Sequence, residues 1–303
     1  MFVRHRMCDA ERMERVEREW VAGRWPVPTA AMDKYSRGVV GIVAGSEAYP
    51  GAAVLACSGA LRAGTGVVHY VGPVRAQDLV LHRRPEVIVH TPHAVREALP
   101  HADAWVLGPG VAAQPEQDAV VTAVLASGIP VVADAGALGA ATAAWVGTSG
   151  SDSRVMTPHE RELVRVLRAV GVDVAVDQIG TRRAHWAALA ATTVGATVVL
   201  KGAVTVVARP DGTVTQLPAG PAWLATAGTG DVLAGVTGAL MACGVGAADA
   251  AVMAAWIHAR AAERASGGGP LTALDVAEAL PATIAALVKA VGQVGLEPTT
   301  DGL

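Results

Sequence analysis

One aspartate separates a run of small residues from an apolar helix in the stretch "ATAGTGDVLAG", residues 225–235. Gly228 and Gly230 let the backbone approach a ligand closely, and the start of the helix offers unpaired amides and a positive dipole end to a phosphate. A carboxylate about 4 Å from a phosphate charge is opposed by roughly 4 kcal/mol at an effective dielectric of about 20. This repulsion is acceptable if the carboxylate of Asp231 has a catalytic function. It could accept a proton from a hydroxyl that attacks the phosphorus. The alternative is that Asp231 is the N-cap of the helix, a position where Asp is common.

A second group that suits an anionic ligand is Lys201, one of only three lysines in the chain. It lies at the end of the β-branched run "TVVLKG" and is followed by Gly202, Ala203, Val204 and Thr205. This segment would give a nucleotide several backbone groups and a threonine hydroxyl. The alternative is a solvated charge at the end of a strand.

His159 in "TPHERE" is open to two interpretations. A lone histidine is usually structural, and Pro158 followed by Glu160 and Glu162 makes a good helix start with acids in its first turn. The other interpretation is that His159 lines a ligand site.

An alternation of short buried strands with alanine-rich helices must position these groups. The predicted strands are residues 39–45, 66–73, 104–110, 129–136, 155–159 and 197–202, and the predicted helices are 51–64, 115–128, 160–171 and 178–195. This pattern predicts an α/β fold with a mostly parallel central sheet covered by helices on both faces. The sequence "PDG" predicts a late hairpin within residues 204–217, and the chain after residue 230 is predicted to be helical.

Ligands bind outside the carboxyl ends of the strands in such sheets. The predicted strand ends supply Gly45 with Ser46, Gly72, Gly108 with Gly110, Asp134, Thr157 with His159, and Lys201 with Gly202. Their convergence on one rim favours a binding cleft. Neither a Walker phosphate loop nor a G-x-G-x-x-G fingerprint is present.

The chain is predicted to comprise a charged helical extension and linker over residues 1–36, a main domain over 37–291 and a disordered tail over 292–303. Its 303 residues are 52% hydrophobic with a net charge of −3, which disfavours binding to nucleic acid or an anionic membrane. Cys8, Cys57 and Cys243 lack the spacing of a disulfide framework or a zinc site. No signal peptide or spanning segment is apparent, so a cytoplasmic protein is expected.

Six segments together resemble the ADP-dependent NAD(P)H-hydrate dehydratase family, whose fold is similar to ribokinase. They are "GIVAGSEAYPGAAVLACSGALRAGTG", "LGPG", "PVVADAGAL", "TPHERE", "VVLKGAVTVV" and "LATAGTGDVLAG", which span roughly residues 38–245. The resemblance implies repair of hydrated NADH and NADPH (NADHX and NADPHX), by phosphorylation of the ring hydroxyl from ADP, or ATP in some lineages, and elimination of phosphate. Mg²⁺ is expected with the nucleotide, and its ligands are not assigned.

The resemblance also implies roles for individual residues. Asp231 would be the base near the substrate hydroxyl. Nucleotide contacts would come from Lys201, Gly202, Ala203, Val204 and Thr205, and from Gly228, Thr229 and Gly230, which also form the anion cradle. The hydrate site would be lined by Ala52, Gly110 and His159.

This chain departs from the family pattern at "DKYSRG", at Gly136 where a second acid is common, and at Ala227 where glycine is common. Many relatives carry an N-terminal epimerase domain, for which about 36 residues leave no room, so a separate epimerase is expected. A homo-oligomer is also expected, since the late alanine-rich helices could form a subunit interface or merely close the core. Two alternatives remain: a vitamin-precursor kinase of the same fold, for hydroxymethylpyrimidine or hydroxyethylthiazole, and a non-catalytic nucleotide-binding regulatory protein.

Overall fold

The computed structural model describes residues 14–95, 99–218 and 220–294. Within them, ten strands form one sheet in the order β1-β10-β9-β8-β7-β6-β5-β2-β3-β4. The strands are β1 Glu14–Arg15, β2 Val39–Val43, β3 Val67–Val71, β4 Ile88–His90, β5 Ala104–Leu107, β6 Val131–Ala133, β7 Arg154–Met156, β8 Thr197–Leu200, β9 Thr205–Ala208 and β10 Val214–Leu217.

Seven neighbouring strands are parallel to one another, in the order β8, β7, β6, β5, β2, β3 and β4. The hairpin of β9 and β10 continues the sheet next to β8, with antiparallel pairing. β1 then pairs parallel with β10 at the far edge. The predicted fold class and the late hairpin are confirmed. The apolar, β-branched composition of the central strands agrees with their burial on both faces, which is typical of parallel sheets.

Helices cover both faces of this sheet. They are α1 Arg18–Ala22, α2 Gly51–Ala63, α3 Val74–Arg83, α4 Pro115–Ala126, α5 Leu138–Trp145, α6 Glu160–Ala169, α7 Val176–Thr181, α8 Arg183–Val194, α9 Thr229–Ala242, α10 Ala247–Ser266 and α11 Ala273–Val294. One face packs against α2, α3, α9, α10 and α11, and the other against α4 to α8. Most side chains of α9 and α10 are buried in the first of these cores. The late alanine-rich helices therefore close the core of this chain.

Small residues let α2 and α9 pack very closely. A Cβ atom added to Gly59 would lie 2.4 Å from the Val232 carbonyl oxygen, and one added to Gly235 would lie 2.1 Å from that of Ala56. Interiors are packed at near-crystal density, so no larger side chain fits at these positions without moving a backbone. This contact fixes where the N-terminus of α9 lies relative to the sheet.

The ends of the chain differ in part from the prediction. The extension includes the strand Glu14–Arg15 as well as the helix Arg18–Ala22, and residues 1–13 lie outside the described part. Helix α11 continues to Val294, so the first three residues of the predicted disordered tail are helical; Gly292 weakens a helix by about 1 kcal/mol without ending it. Residues 295–303 lie outside the described part.

Two other details correct the prediction. The single helix predicted over 178–195 is divided into α7 and α8, because Arg182 has φ −137° and ψ 49°, which are not helical values. The strand β4 and the helices α3 and α5 lie outside the predicted elements. Among the described residues, no helix combines the length and apolar character needed to cross a bilayer.

Candidate active site

The carboxyl ends of β6, β7 and β8 bring three distant chain segments together. Asp134 directly follows β6, and the segment from Thr157 to His159 follows β7. The amide of Lys201 donates to the Pro158 carbonyl oxygen at 2.9 Å, and His159 and Lys201 form a parallel bridge beyond the named strands. The rim predicted from the strand ends is therefore present at these three strands.

Lys201 lies at the centre of a group of acids. Its Nζ atom is 2.6 Å from Asp134 Oδ1 and 3.9 Å from Glu162 Oε2, and both carboxylates are almost completely buried. Burial alone would lower the pKa of Lys201, but attraction by Asp134 and Glu162 and the hydrogen bond to Asp134 hold that pKa above its usual value. Lys201 is therefore a permanent cation here, not a solvated strand-end charge.

Asp231 is not the N-cap of α9. Gly228 holds that position with φ +88°, and Asp231 is the third helical residue, with its amide donating to the Gly228 carbonyl at 3.1 Å. The Asp231 carboxylate accepts no hydrogen bond from the described residues. Burial and repulsion by Asp134 and Glu162 raise its pKa to about 7, against the attraction of Lys201. A carboxylate with this pKa is suited to act as a base near neutral pH.

The predicted glycine cradle begins α9 and touches Lys201. A Cβ atom on Gly230 would lie 3.2 Å from Lys201 Nζ, and one on Gly228 would lie 2.3 Å from Leu55 Cδ1. The Thr229 hydroxyl donates to the carbonyl oxygens of Leu224 and Thr226, at 3.1 and 3.0 Å. The Thr229 side chain therefore stabilises the loop that precedes α9.

His258 of α10 supports this loop from behind and was not found by the sequence analysis. Its ring interacts with the backbone of Thr229, while Nε2 is buried without a hydrogen-bond partner among the described residues. Burial lowers the pKa of His258 to about 4, with Lys201 acting in the same direction and the Thr229 hydrogen bond opposing it. His258 is therefore neutral, and nothing in the run "AAWIHARAAERA" distinguishes it from a core residue.

Ala52 and Gly110 meet at the carboxyl ends of β2 and β5. A Cβ atom on Gly110, which has φ +64°, would lie only 2.5 Å from the Ala52 Cβ atom and 2.9 Å from the Tyr49 carbonyl oxygen. Two residues 58 positions apart that were assigned to the same site are thus in contact. No side chain larger than hydrogen fits at Gly110 beside the first turn of α2.

His159 has the structural role that one interpretation gave it. It is the N-cap of α6: its Nδ1 accepts from the Glu162 amide at 3.3 Å, and its own amide donates to Glu162 Oε2 at 2.9 Å. The ring is half exposed beside Lys201, so capping does not remove it from the rim. Glu162, which the sequence analysis treated only as a helix-start acid, connects the cap to Lys201.

The segment from Lys201 to Thr205 joins β8 to β9. Gly202, Ala203 and Val204 are exposed, and their amides donate to no acceptor among the described residues. The predicted nucleotide segment is therefore an open loop next to the cradle.

Gly136 lies on the same rim, and a Cβ atom there would lie 2.3 Å from the Val111 carbonyl oxygen, which leaves no room for the acid common in the family pattern.

The described residues contain no group of three or more His, Cys, Asp or Glu side chains that could hold a metal ion. Mg²⁺ is commonly bound by one or two carboxylates together with substrate phosphates and water. A separate cleft of about 290 Å³ lies at the opposite, amino end of β8, lined by Thr197, Arg209 and Asp249 among others. None of the predicted site residues lines it.

Residues 40–281 match the model of the NAD(P)H-hydrate dehydratase family. The chain is 39% identical over 247 residues to the bifunctional NAD(P)H-hydrate repair enzyme of Mycobacterium leprae, covering 80% of this chain and 49% of that protein. It is 30% identical over 209 residues to the ADP-dependent (S)-NAD(P)H-hydrate dehydratase of Bacillus subtilis, covering 64% and 68%.

The crystal structure of the Bacillus subtilis ADP/ATP-dependent NAD(P)H-hydrate dehydratase, co-crystallised with ATP/Mg²⁺, is similar to this fold. The TM-score is 0.80 at 28% identity, over 92% of this chain and all of that one. A ribokinase-like protein of Enterococcus faecalis, 19% identical with a TM-score of 0.82, shares the fold. The chain spans about half the length of the bifunctional relative from Mycobacterium leprae.

Proposed function

This chain belongs to the NAD(P)H-hydrate dehydratase family, and from that premise we propose that it is an ADP-dependent (S)-NAD(P)H-hydrate dehydratase. Its substrates are the hydrated cofactors NADHX and NADPHX, with ADP or ATP as phosphate donor. The observation that carries the proposal is the Asp231 carboxylate, which is mostly buried, accepts no hydrogen bond from the described residues and has a pKa raised to about 7 beside Lys201 and the glycine cradle.

The nucleotide phosphates bind at the cradle, beside Lys201. Unpaired amides at the start of α9 and the positive end of its dipole attract the anion. Lys201 lies against Gly230, so its ammonium adds a fixed positive charge at the same place. Mg²⁺ bound with the nucleotide neutralises phosphate charge.

Asp231 then accepts the proton of the substrate hydroxyl. The hydroxyl oxygen forms a bond to the terminal phosphorus of ADP, and the bond from that phosphorus to the oxygen shared with AMP breaks. Phosphate is a better leaving group than hydroxide, and the ring nitrogen supplies electrons for its departure. Loss of a proton from the neighbouring ring carbon restores the dihydronicotinamide, so the products are NAD(P)H, AMP and phosphate.

The hydrate ring lies beside Ala52 and Gly110, which are in contact at the first turn of α2. His159, half exposed on the cap of α6, lines the same cleft from the side of Lys201. Three further parts of the proposal are a homo-oligomer, a cytoplasmic location and a separate epimerase acting on the same metabolite. The bifunctional name of the longer relative agrees with a second repair activity on that metabolite.

The test is to incubate the pure protein with chemically prepared NADHX, Mg²⁺ and ADP while following the absorbance of restored dihydronicotinamide and the release of inorganic phosphate. Both are expected to rise together, and ATP in place of ADP gives the nucleotide preference. A vitamin-precursor kinase would instead accumulate phosphorylated vitamin precursor without releasing phosphate. Nucleotide binding with no phosphate release in the presence of NADHX or NADPHX would contradict the proposal.

A further inference from the structure

One arginine outside the sequence motifs binds the loop that carries Lys201. Arg183 is the first residue of α8, and its Nη2 atom donates to the carbonyl oxygens of Lys201 at 3.0 Å, Leu200 at 3.2 Å and Val204 at 3.3 Å. The guanidinium thus contacts the end of β8 and the residue before β9. The two ends of the open loop are thereby tied to one side chain.

Arg183 is itself held in place. Its Nη1 atom forms an ion pair with Glu160 Oε1, and its side chain is only 18% exposed. Glu160 is the first residue of α6, directly after the His159 cap. Gly202 packs on the same group, because a Cβ atom there would lie 2.5 Å from Arg183 Nη2.

This arrangement gives the loop two different sides. The carbonyl oxygens of Lys201 and Val204 are directed to the guanidinium, while the amides of Gly202, Ala203 and Val204 have no acceptor among the described residues. Because its carbonyl oxygens are already held by Arg183, the loop can present its amides to a ligand without first becoming ordered. Ordering a flexible loop during binding costs affinity, so a loop that is already ordered binds more tightly.

We propose that Arg183 is a positioning residue for the nucleotide: it pre-orders the loop from Lys201 to Thr205 and links it through Glu160 to the His159 side of the cleft. The inference rests on the proposed function, since it takes this loop as the nucleotide site. Arg183 acts through the backbone of the loop, because its Nη1 and Nη2 atoms are occupied by Glu160 and carbonyl oxygens and its Nε atom is buried.

The test compares Arg183→Gln with a matched control, Arg154→Gln. Arg154 also donates to loop carbonyls, those of Ser149 at 2.5 Å and Thr148 at 3.4 Å, but it lies at the start of β7, at the opposite end of the sheet. Calorimetric titration with Mg²⁺-ADP is expected to show binding about tenfold weaker for Arg183→Gln, because the charged hydrogen bonds that order the nucleotide loop are lost. Binding should be unchanged for Arg154→Gln, whose hydrogen bonds hold a different loop. The KM for nucleotide should rise by the same factor, while the KM for NADHX changes much less.

Two further variants separate position from charge and from misfolding. Arg183→Lys keeps the charge but not the planar fork, so it should restore only part of the affinity. Glu160→Gln leaves the guanidinium present but less firmly held, and should weaken Mg²⁺-ADP binding by about threefold, less than the loss of Arg183. If Arg183→Gln fails to fold, these two variants decide the question.

The outcomes are distinct. Full restoration by Arg183→Lys would assign the effect to charge and overturn the positioning role, as would wild-type affinity for Mg²⁺-ADP in both Arg183→Gln and Glu160→Gln. An equal rise in both KM values would show a general loss of structure and also overturn it. Absence of Mg²⁺-ADP binding by the wild-type protein would overturn the proposed function itself, whereas binding by the wild type with unaffected variants removes only the role of Arg183.

Discussion

Two neighbouring regions of the molecule meet at helix α9 and are built in opposite ways. The charged cluster consists of Lys201, Asp134, Glu162 and Asp231, and in it the charges of Asp134 and Glu162 act to raise the pKa of both Lys201 and Asp231. The glycine seam consists of Gly59 and Gly235 with the α2 and α9 backbones they touch, and it has no charge. The cluster decides which proton transfers are possible, while the seam decides where the start of α9 lies.

The difference shows how far each region tolerates change. In the cluster, a substitution of nearly equal size leaves the packing intact and alters only charge, so the effect should appear in rate or binding. In the seam, one added methyl group meets a backbone carbonyl, which is not the flexible end of a side chain. Effects there should appear in stability first.

The largest expected effect is in the cluster, on turnover. Asp231→Asn keeps the size of the side chain and removes the proton acceptor, so the turnover number should fall by roughly 10²-fold or more. The Kd for Mg²⁺-ADP should hold or decrease, because a negative charge beside the phosphates is gone. The matched control is Asp249→Asn, which alters a carboxylate paired with Arg24 and Arg209 at the other end of the sheet and should leave turnover unchanged. Near-normal turnover in Asp231→Asn would end the assignment of Asp231 as the base.

The second effect is in the seam, on stability. Gly59→Ala places a methyl group 2.4 Å from the Val232 carbonyl oxygen, so the free energy of unfolding should fall by about 1–3 kcal/mol. The control is Gly139→Ala in α5, where a Cβ atom has no neighbour within 4 Å and the higher helix propensity of alanine should add about 1 kcal/mol. Chemical denaturation of both variants checks the opposite signs. A Gly59→Ala variant as stable as the wild type would show that the seam can open without cost.

The third effect returns to the cluster, on nucleotide binding. Lys201→Ala removes the cation and leaves Asp134, Glu162 and Asp231 to repel phosphate, so Mg²⁺-ADP should bind about tenfold or more weakly, with NADHX less affected. The ascending limb of the pH–rate profile should also move to higher pH, because Lys201 lowers the pKa of Asp231. Titration with each ligand separately measures the first effect. Equal loss of affinity for both ligands would make Lys201 a structural residue.

The start of α9 and part of the cluster were predicted from the sequence because their signals are local, whereas the contact of α2 with α9 at Gly59 and Gly235, in two distant helices, was not. Glycine, alanine and an acid directly before an apolar run mark the start of α9, and Lys201 is visible as a rare lysine at a strand end. Glu162 and His258 were missed as site residues because their environment comes from distant segments. Arg183 was missed for the same reason, since its role depends on carbonyls 17 to 21 residues later.

The same reasoning applies to the fold. The central strands are continuous apolar runs bounded by Gly, Pro or a charged residue, so they were predicted within a few residues of their ends. The edge strand Ile88–His90 overlaps an apolar run of only three residues, 87–89, and none of its residues is buried. The break between α7 and α8 depends on backbone angles at Arg182 that no residue preference signals.

The smallest expected effect is the dependence of stability on the charge of Asp231. Its pKa is raised in the folded protein, so the folded state binds the proton more tightly than the unfolded state does. The stability this provides is fully present below the usual aspartate pKa of about 4 and is lost as the pH rises through about 7. Asp231→Asn has no charge to bury, so it should be more stable than the wild type at pH about 8, by roughly 1–2 kcal/mol, with the difference disappearing toward pH about 4.

Chemical denaturation of the two proteins across this pH range measures the difference, and Asp249→Asn should show no comparable trend. A variant less stable than the wild type at the higher pH would mean that the Asp231 carboxylate is stabilised by contacts in the folded state. The pKa of Asp231 would then lie below its usual value. Asp231 would have a structural role, like the residues of the seam, and would not be a base with a raised pKa.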